Sequence, residues 1–172
     1  MAKAKTDLPP ARLNIAVLTV SDKRTAADDT AGDYLHEQLL TAGHHCLQRA
    51  ISPDNLYELR RVLSNWICDD QLHVIITNGG TGFSHNKSTI AAVSPLLDHS
   101  IRGFGELFRQ LSYAQVGSAA LQSDALAGTA NGKFIFCLPG SPKACQLAWE
   151  SILHEQLNST YRPCNFASHF VA

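Results

Sequence analysis

The chain has no CxxC pair, and its five cysteines, Cys46, Cys68, Cys137, Cys145 and Cys164, are an odd number. That disfavours a disulfide framework and a zinc ribbon. Their placement inside apolar patterns suits buried free thiols and a reducing cytoplasm. No apolar run is long enough to span a membrane. Met1 to Arg12 carries lysines but no apolar core, so it does not read as a secretory signal. Neither sign of charge dominates: the net charge is −1, which leaves no global field for nucleic acid or an anionic membrane. The eight histidines are scattered, with no HExxH, and His44 and His45, adjacent on a strand, point to opposite faces. GxGxxG, GxxxxGK[ST] and GxSxG are absent as well, which disfavours a dehydrogenase-type dinucleotide fold and excludes a P-loop and a nucleophile elbow.

What is present is a globular composition, 45% hydrophobic and 17% charged over 172 residues, suited to a single domain. Pro9, Pro10 and sparse apolar content mark residues 1–12 as a flexible arm. Residues 13–157 form the body and 158–172 a C-terminal extension. Strands are expected at Leu13–Val20, Cys46–Ile51 and Leu72–Ile76. Helices are expected at Thr30–Ala42, from Ser52-Pro53-Asp54 through Ile67, at Thr89–Leu97 and at Phe104–Leu111. Gly117–Leu126 is ambiguous. Ala127–Ala130 and Lys133–Leu138 flank Asn131-Gly132, a favoured hairpin dipeptide. Ser141 caps a last helix, with Pro142 in its first position. Strands alternating with helices predict an α/β fold: a mostly parallel sheet, helices on both faces in three layers, and one small hairpin.

In such sheets ligands bind at the carboxyl ends of the strands. The run Thr77-Asn78-Gly79-Gly80-Thr81-Gly82 follows an apolar strand and is the strongest candidate, because glycines admit close approach of backbone to ligand. A second such loop is Leu138-Pro139-Gly140-Ser141-Pro142-Lys143, where Lys143 suits a phosphate. Asp22 and Asp54 supply carboxylates on the same rim, although Asp54 also fits a plain helix N-cap.

These loops resemble the molybdopterin-binding family of molybdenum cofactor biosynthesis, the MoaB/Mog-like proteins. The resemblance is carried by Leu18-Thr19-Val20-Ser21-Asp22, Asp28-Asp29-Thr30-Ala31-Gly32, Ser52-Pro53-Asp54, Gly79-Gly80-Thr81-Gly82, Gly103-Phe104-Gly105-Glu106, Leu121-Gln122-Ser123 and Leu138-Pro139-Gly140-Ser141-Pro142-Lys143-Ala144. Arg162-Pro163-Cys164-Asn165-Phe166 resembles the ending of the MoaB branch. The resemblance implies a homotrimer or homohexamer, molybdopterin as ligand or substrate, and other cofactor-biosynthesis proteins as partners. It also implies adenylyl transfer from ATP with Mg²⁺. It assigns Thr77, Gly79, Gly80, Thr81, Gly82, Glu106, Ser123, Pro139, Gly140, Ser141 and Lys143 to substrate binding, Asp54 to the metal, and Asp22, Asp54 and position 87 to catalysis.

One stretch departs from the family pattern. Active members continue as GGTGxxxRDxTPEA; here Asn86 replaces the arginine, Lys87 the aspartate, and Ile90-Ala91 the Pro-Glu. Replacing a carboxylate by an ammonium removes a metal ligand and adds a like charge. The expected protein therefore binds molybdopterin with adenylyl transfer weak or lost. An active adenylyltransferase with a rearranged metal site and an oligomeric scaffold without ligand stay open as alternatives.

Overall fold

In a computed structural model, residues 9–171 of the chain are described. Most of the expected N-terminal arm lies outside them. At its end the Ala11 N–H donates to Ser159 Oγ at 2.7 Å, and Arg12 Nη1 lies 3.0 Å from His45 Nε2.

The sheet has six strands in the order β2-β1-β3-β6-β5-β4. Strands β1 (Asn14–Val20), β2 (His45–Ser52), β3 (Val74–Gly79) and β6 (Lys133–Leu138) are parallel neighbours. Strand β5 (Leu126–Ala130) pairs antiparallel with β6, and the two-residue strand β4 (His99–Ser100) pairs with β5. The central strands are buried on both faces, which accounts for their continuous runs of Ile, Val and Leu. Alternation then sorts them. Ile15, Val17, Val74, Ile76, Phe134 and Phe136 meet one core; Ala16, Leu18, Ile75, Ile135 and Cys137 meet the other. The first core is covered by α1 (Thr30–Thr41), α4 (Arg102–Val116) and α5 (Pro142–Ala148). The second is covered by α2 (Leu56–Ile67) and α3 (Thr89–Val93). This is the expected three-layer α/β arrangement.

The hairpin forms as its sequence predicts. Asn131 has φ 46° and Gly132 φ 72°, the left-handed pair that a two-residue turn demands. Several boundaries differ from expectation. Pro95 ends α3 early and leaves a 3₁₀ turn at Ser94–Leu96. Arg102 and Gly103, expected between helices, begin α4 instead, which runs on to Val116. Gly117–Gln122 is a 3₁₀ helix. The stripe Cys145, Ala148, Trp149 and Ile152 is buried, but the backbone widens to a π turn at Trp149–Leu153.

The residues after 157, expected as an extension, pack onto the body. The Phe166 ring lies 4.6 Å from that of Phe134, and Ala167 is fully buried. Asn165 pins this turn by donating to the carbonyls of Ser159 and Tyr161 and accepting from the Ser168 N–H.

Of the adjacent histidines, His45 is exposed and His44 is buried, its Nδ1 accepting the Leu13 N–H at 3.3 Å. Burial, helped by the charge of His154, lowers the His44 pKa to about 4 from the ordinary 6.5. Burial and then Lys133 lower His73 as well. The unfolded chain takes up protons below about pH 6.5 that the folded imidazole of His44 refuses until about pH 4. Stability is therefore complete above that window and falls as the pH drops through it, by up to about 2–3 kcal/mol for His44. The urea midpoint should drop clearly between about pH 7.5 and about pH 5, and His44→Gln should flatten part of that slope. A midpoint unmoved by acid would contradict this account.

Candidate functional site

Strand β3 sends its following helix to the α2–α3 face, while its neighbours β1 and β6 send theirs to the α1–α5 face. Chains leaving in opposite directions open a crevice at the carboxyl ends of these strands, where ligands bind in this architecture. The predicted glycine loops lie there. Gly79, Gly80 and Gly82 have φ of 89°, 62° and 127°. A Cβ on Gly80 would run into Thr89 Oγ1 and come within 2.6 Å of Val20 and 3.2 Å of Asp54 Oδ1. A Cβ on Gly140 would lie 2.9 Å from the Gly79 Cα, so the two glycine loops touch backbone to backbone. Thr89 fastens the first loop, its N–H donating to Gly80 O at 3.1 Å and its hydroxyl to Gly79 O at 2.8 Å.

Asp22, Asp54 and Lys87 come together beside this loop. Asp54 is not the α2 cap: Asn55 takes that role, accepting from the N–H groups of Tyr57 and Glu58. The Asp54 carboxylate is free of the helix and turns to the loop after β3. Its Oδ1 accepts the Ser88 N–H at 2.8 Å, and its Oδ2 lies 3.2 Å from Lys87 Nζ. Its own N–H donates to Asp22 Oδ1 at 2.9 Å. The side chain of Asp54 is 2% exposed and that of Lys87 37%.

This set does not fit a divalent metal. Lys87 already neutralises Asp54, and among the described residues no group of three or more His, Cys, Asp or Glu is arranged to hold an ion. Two unit charges 4 Å apart repel by about 4 kcal/mol at an effective dielectric of 20, and a dication beside Lys87 would meet roughly twice that.

The remaining expected site residues do not gather into one pocket with this loop. Ser141 caps α5 through the Ala144 N–H, as its sequence predicts. Lys143 lines a groove with Gln115, Val116, Gln146 and Glu150. Glu106 lines a different groove with Arg102, Arg109 and Asp124, and the Ser123 carbonyl accepts from Arg109 at 3.4 Å. Pro139 accepts at its carbonyl from the Cys145 thiol at 3.5 Å. Thr77, expected among the ligand contacts, is fully buried within β3 instead. Its place in the strand puts it two residues below the loop, a depth that composition does not reveal. Cys137 and Cys145 are buried as expected, with burial pushing each thiol up to about 12, whereas Cys68 and Cys164 are exposed.

Sequence reading missed the group that holds the rim from beneath. Asp29 is fully buried and caps α1 through the Gly32 N–H at 3.0 Å. It also accepts from Thr19 Oγ1 at 2.8 Å and Arg49 Nη2 at 2.9 Å, while Asn78 Nδ2 donates to Thr19 Oγ1 at 2.9 Å. The Asp28-Asp29 doublet was a signal, but the partners come from β1, β2 and β3.

The fold thus defines an α/β protein with a glycine-lined rim at the carboxyl ends of its parallel strands. The sequence model described as "Probable molybdopterin binding domain" matches residues 16–159. Molybdenum cofactor biosynthesis protein B of Escherichia coli (strain K12) is 45% identical over 169 residues, 98% of each chain. A crystal structure of a molybdenum cofactor biosynthesis protein B has a TM-score of 0.85 at 38% identity, covering 87% of this chain and 94% of that one. The tungsten cofactor synthesizing protein MoaB from Pyrococcus furiosus has a TM-score of 0.76 at 35% identity, covering 85% and 93%. The chain belongs to the MoaB-like family of molybdenum cofactor biosynthesis proteins.

Removing Asp29 leaves Arg49 short of a buried partner and α1 without its cap. Asp29→Ala should cost about 2–4 kcal/mol in urea denaturation. Asp33→Ala, at the half-exposed end of the same network, should cost under about 1 kcal/mol. Equal costs would show that the buried carboxylate has no special role.

Proposed function

We propose that this protein binds molybdopterin, or a closely similar anionic pterin, in molybdenum cofactor biosynthesis, and transfers AMP from ATP to it slowly or not at all. Family membership supports the first part. The observation that carries the second is Lys87 Nζ at 3.2 Å from Asp54 Oδ2, an internal ion pair where the family pattern has two carboxylates. In this reading Gly79, Gly80, Thr81, Gly82, Pro139 and Gly140 admit the flat pterin, Ser123 and Ser141 meet its polar edge, and Lys143 and Glu106 lie along its outer reach. Molybdopterin's phosphate is the group Lys143 would hold. Five free cysteines suit a reducing cytoplasm, and no described helix is long and apolar enough to cross a membrane.

The chemistry follows from charge. Phosphoryl-group transfer depends on positioning and on neutralising the oxygens that gain charge. Lys87 offers one fixed positive charge, already shared with Asp54, and no coordination geometry to align a triphosphate. Lys87→Asp should raise AMP transfer by on the order of tenfold or more in the presence of Mg²⁺, while changing molybdopterin affinity much less. Adding Asp54→Asn to that variant should remove the gain. Fast transfer by the unmodified protein would instead favour an active enzyme with a rearranged metal site.

We also propose that the protein is a trimer or hexamer. Leu107, Tyr113, Val116 and Leu121 are 41%, 64%, 53% and 73% exposed along α4 and the turn after it. Exposed large apolar side chains in this number suit a surface that another chain covers. Light scattering at micromolar concentration should give three or six times the single-chain mass; a monomer would remove the proposal.

A further inference from the structure

We infer that Lys87 takes the place of a divalent cation at the Gly80–Gly82 loop, so that this rim binds a phosphate-bearing anion without metal. The inference deepens the pterin-binding reading and concerns the same crevice. Its basis is the asymmetry of the Asp54–Lys87 pair. The carboxylate is 2% exposed and has both oxygens occupied, one by the Ser88 N–H and one by the ammonium. The ammonium side chain is 37% exposed and, among the described residues, makes one hydrogen bond, so two of its three N–H donors remain available. A ligand entering the crevice therefore meets the positive end of the pair. Asp22, the other carboxylate here, has Oδ1 occupied by the Asp54 N–H.

The loop adds donors beside that charge. The lysine stem runs along it, with Lys87 Cγ 3.9 Å from where a Gly82 Cβ would be. Among the described residues, no protein acceptor takes the N–H groups of Thr81 and Gly82. Consecutive free N–H groups in a turn with positive φ make an anion-binding concavity, and glycine leaves no side chain in the way. An ammonium and backbone donors together are the elements of a phosphate site, and neither requires a metal. With aspartate at position 87 the same crevice would hold three carboxylates and would need a cation before any phosphate entered.

Calorimetric titration of the full chain with ATP and with inorganic pyrophosphate, each in EDTA and in excess Mg²⁺, tests this. The wild-type protein should bind in EDTA with affinity within about threefold of that in Mg²⁺. Lys87→Met should weaken the metal-free binding by about tenfold or more, and Lys87→Arg should retain it. Equal binding of the two probes would assign recognition to phosphate alone; tighter ATP binding would add the nucleoside to the same metal-free contact. Binding seen only with Mg²⁺, binding unchanged in Lys87→Met, or no binding of either probe would overturn the inference. A separate molybdopterin titration keeps the outcomes apart. Pterin binding that survives a failed phosphate test removes only the role of Lys87, while loss of both removes the site itself.

Discussion

The buried carboxylate of Asp29 is the constraint on which the rim depends. A fully buried charge is tolerated only when it is paired and hydrogen-bonded. Asp29 meets that demand with contacts from Thr19 on β1, Arg49 on β2 and Gly32 on α1, and Asn78 on β3 reaches it through Thr19. One ion thus ties three parallel strands and a helix together at the level where the strands end. Gly32 is part of the same constraint, since a Cβ there would strike the Asp29 carboxylate. The strands cannot slide in register without breaking this set, so the loops above them start from fixed points.

Above that layer the loops carry their own polar arrangement. Gly79 and Gly140 touch because the β3 and β6 ends are held side by side, and Thr89 ties the first loop back to its strand. Asp54 and Lys87 then meet across loops separated by 33 residues. Their pairing leaves an acid inside and an ammonium outside, which reverses the charge that a two-carboxylate rim would present. With its carboxylate buried, this is not a plain surface ion pair: removing the ammonium would leave a buried charge without its partner.

The fold was largely legible because periodicity reports burial directly. The apolar runs of β1, β3 and β6 and the Asn131-Gly132 turn are local signals, and each formed where the sequence placed it. Boundaries failed where a local rule competed with packing: Gly103 reads as a break but lies in the first turn of α4, where Phe104 and Phe108 anchor the helix in the core. The glycine loops were legible as turns at the strand ends for the same local reason. The depth of Thr77 was not legible, because distance from a loop, not polarity, decides how far a strand residue is buried. The Asp29 network and the Lys87–Asp54 pair depend on contacts between distant segments, and no spacing within one segment encodes them. Asp54 shows the limit well, because its sequence context fits a helix cap and only the three-dimensional neighbour, Ser88, shows that it serves another loop.

The Asp29–Arg49 and Asp54–Lys87 pairs differ in depth and in the elements they join. Asp29–Arg49 lies beneath the rim and holds the strands; Asp54–Lys87 joins two loops, with its ammonium the more exposed end. Because Lys87 sits on an exposed stretch, a change of sign there leaves every strand contact and both cores intact. The scaffold can therefore carry either a carboxylate pair or a carboxylate and an amine on the same backbone. Side-chain identity at position 87 sets which charge the loop presents, and the fold itself is indifferent to the choice. That independence is why family membership, shared over nearly the whole chain, fixes the fold more firmly than it fixes the reaction.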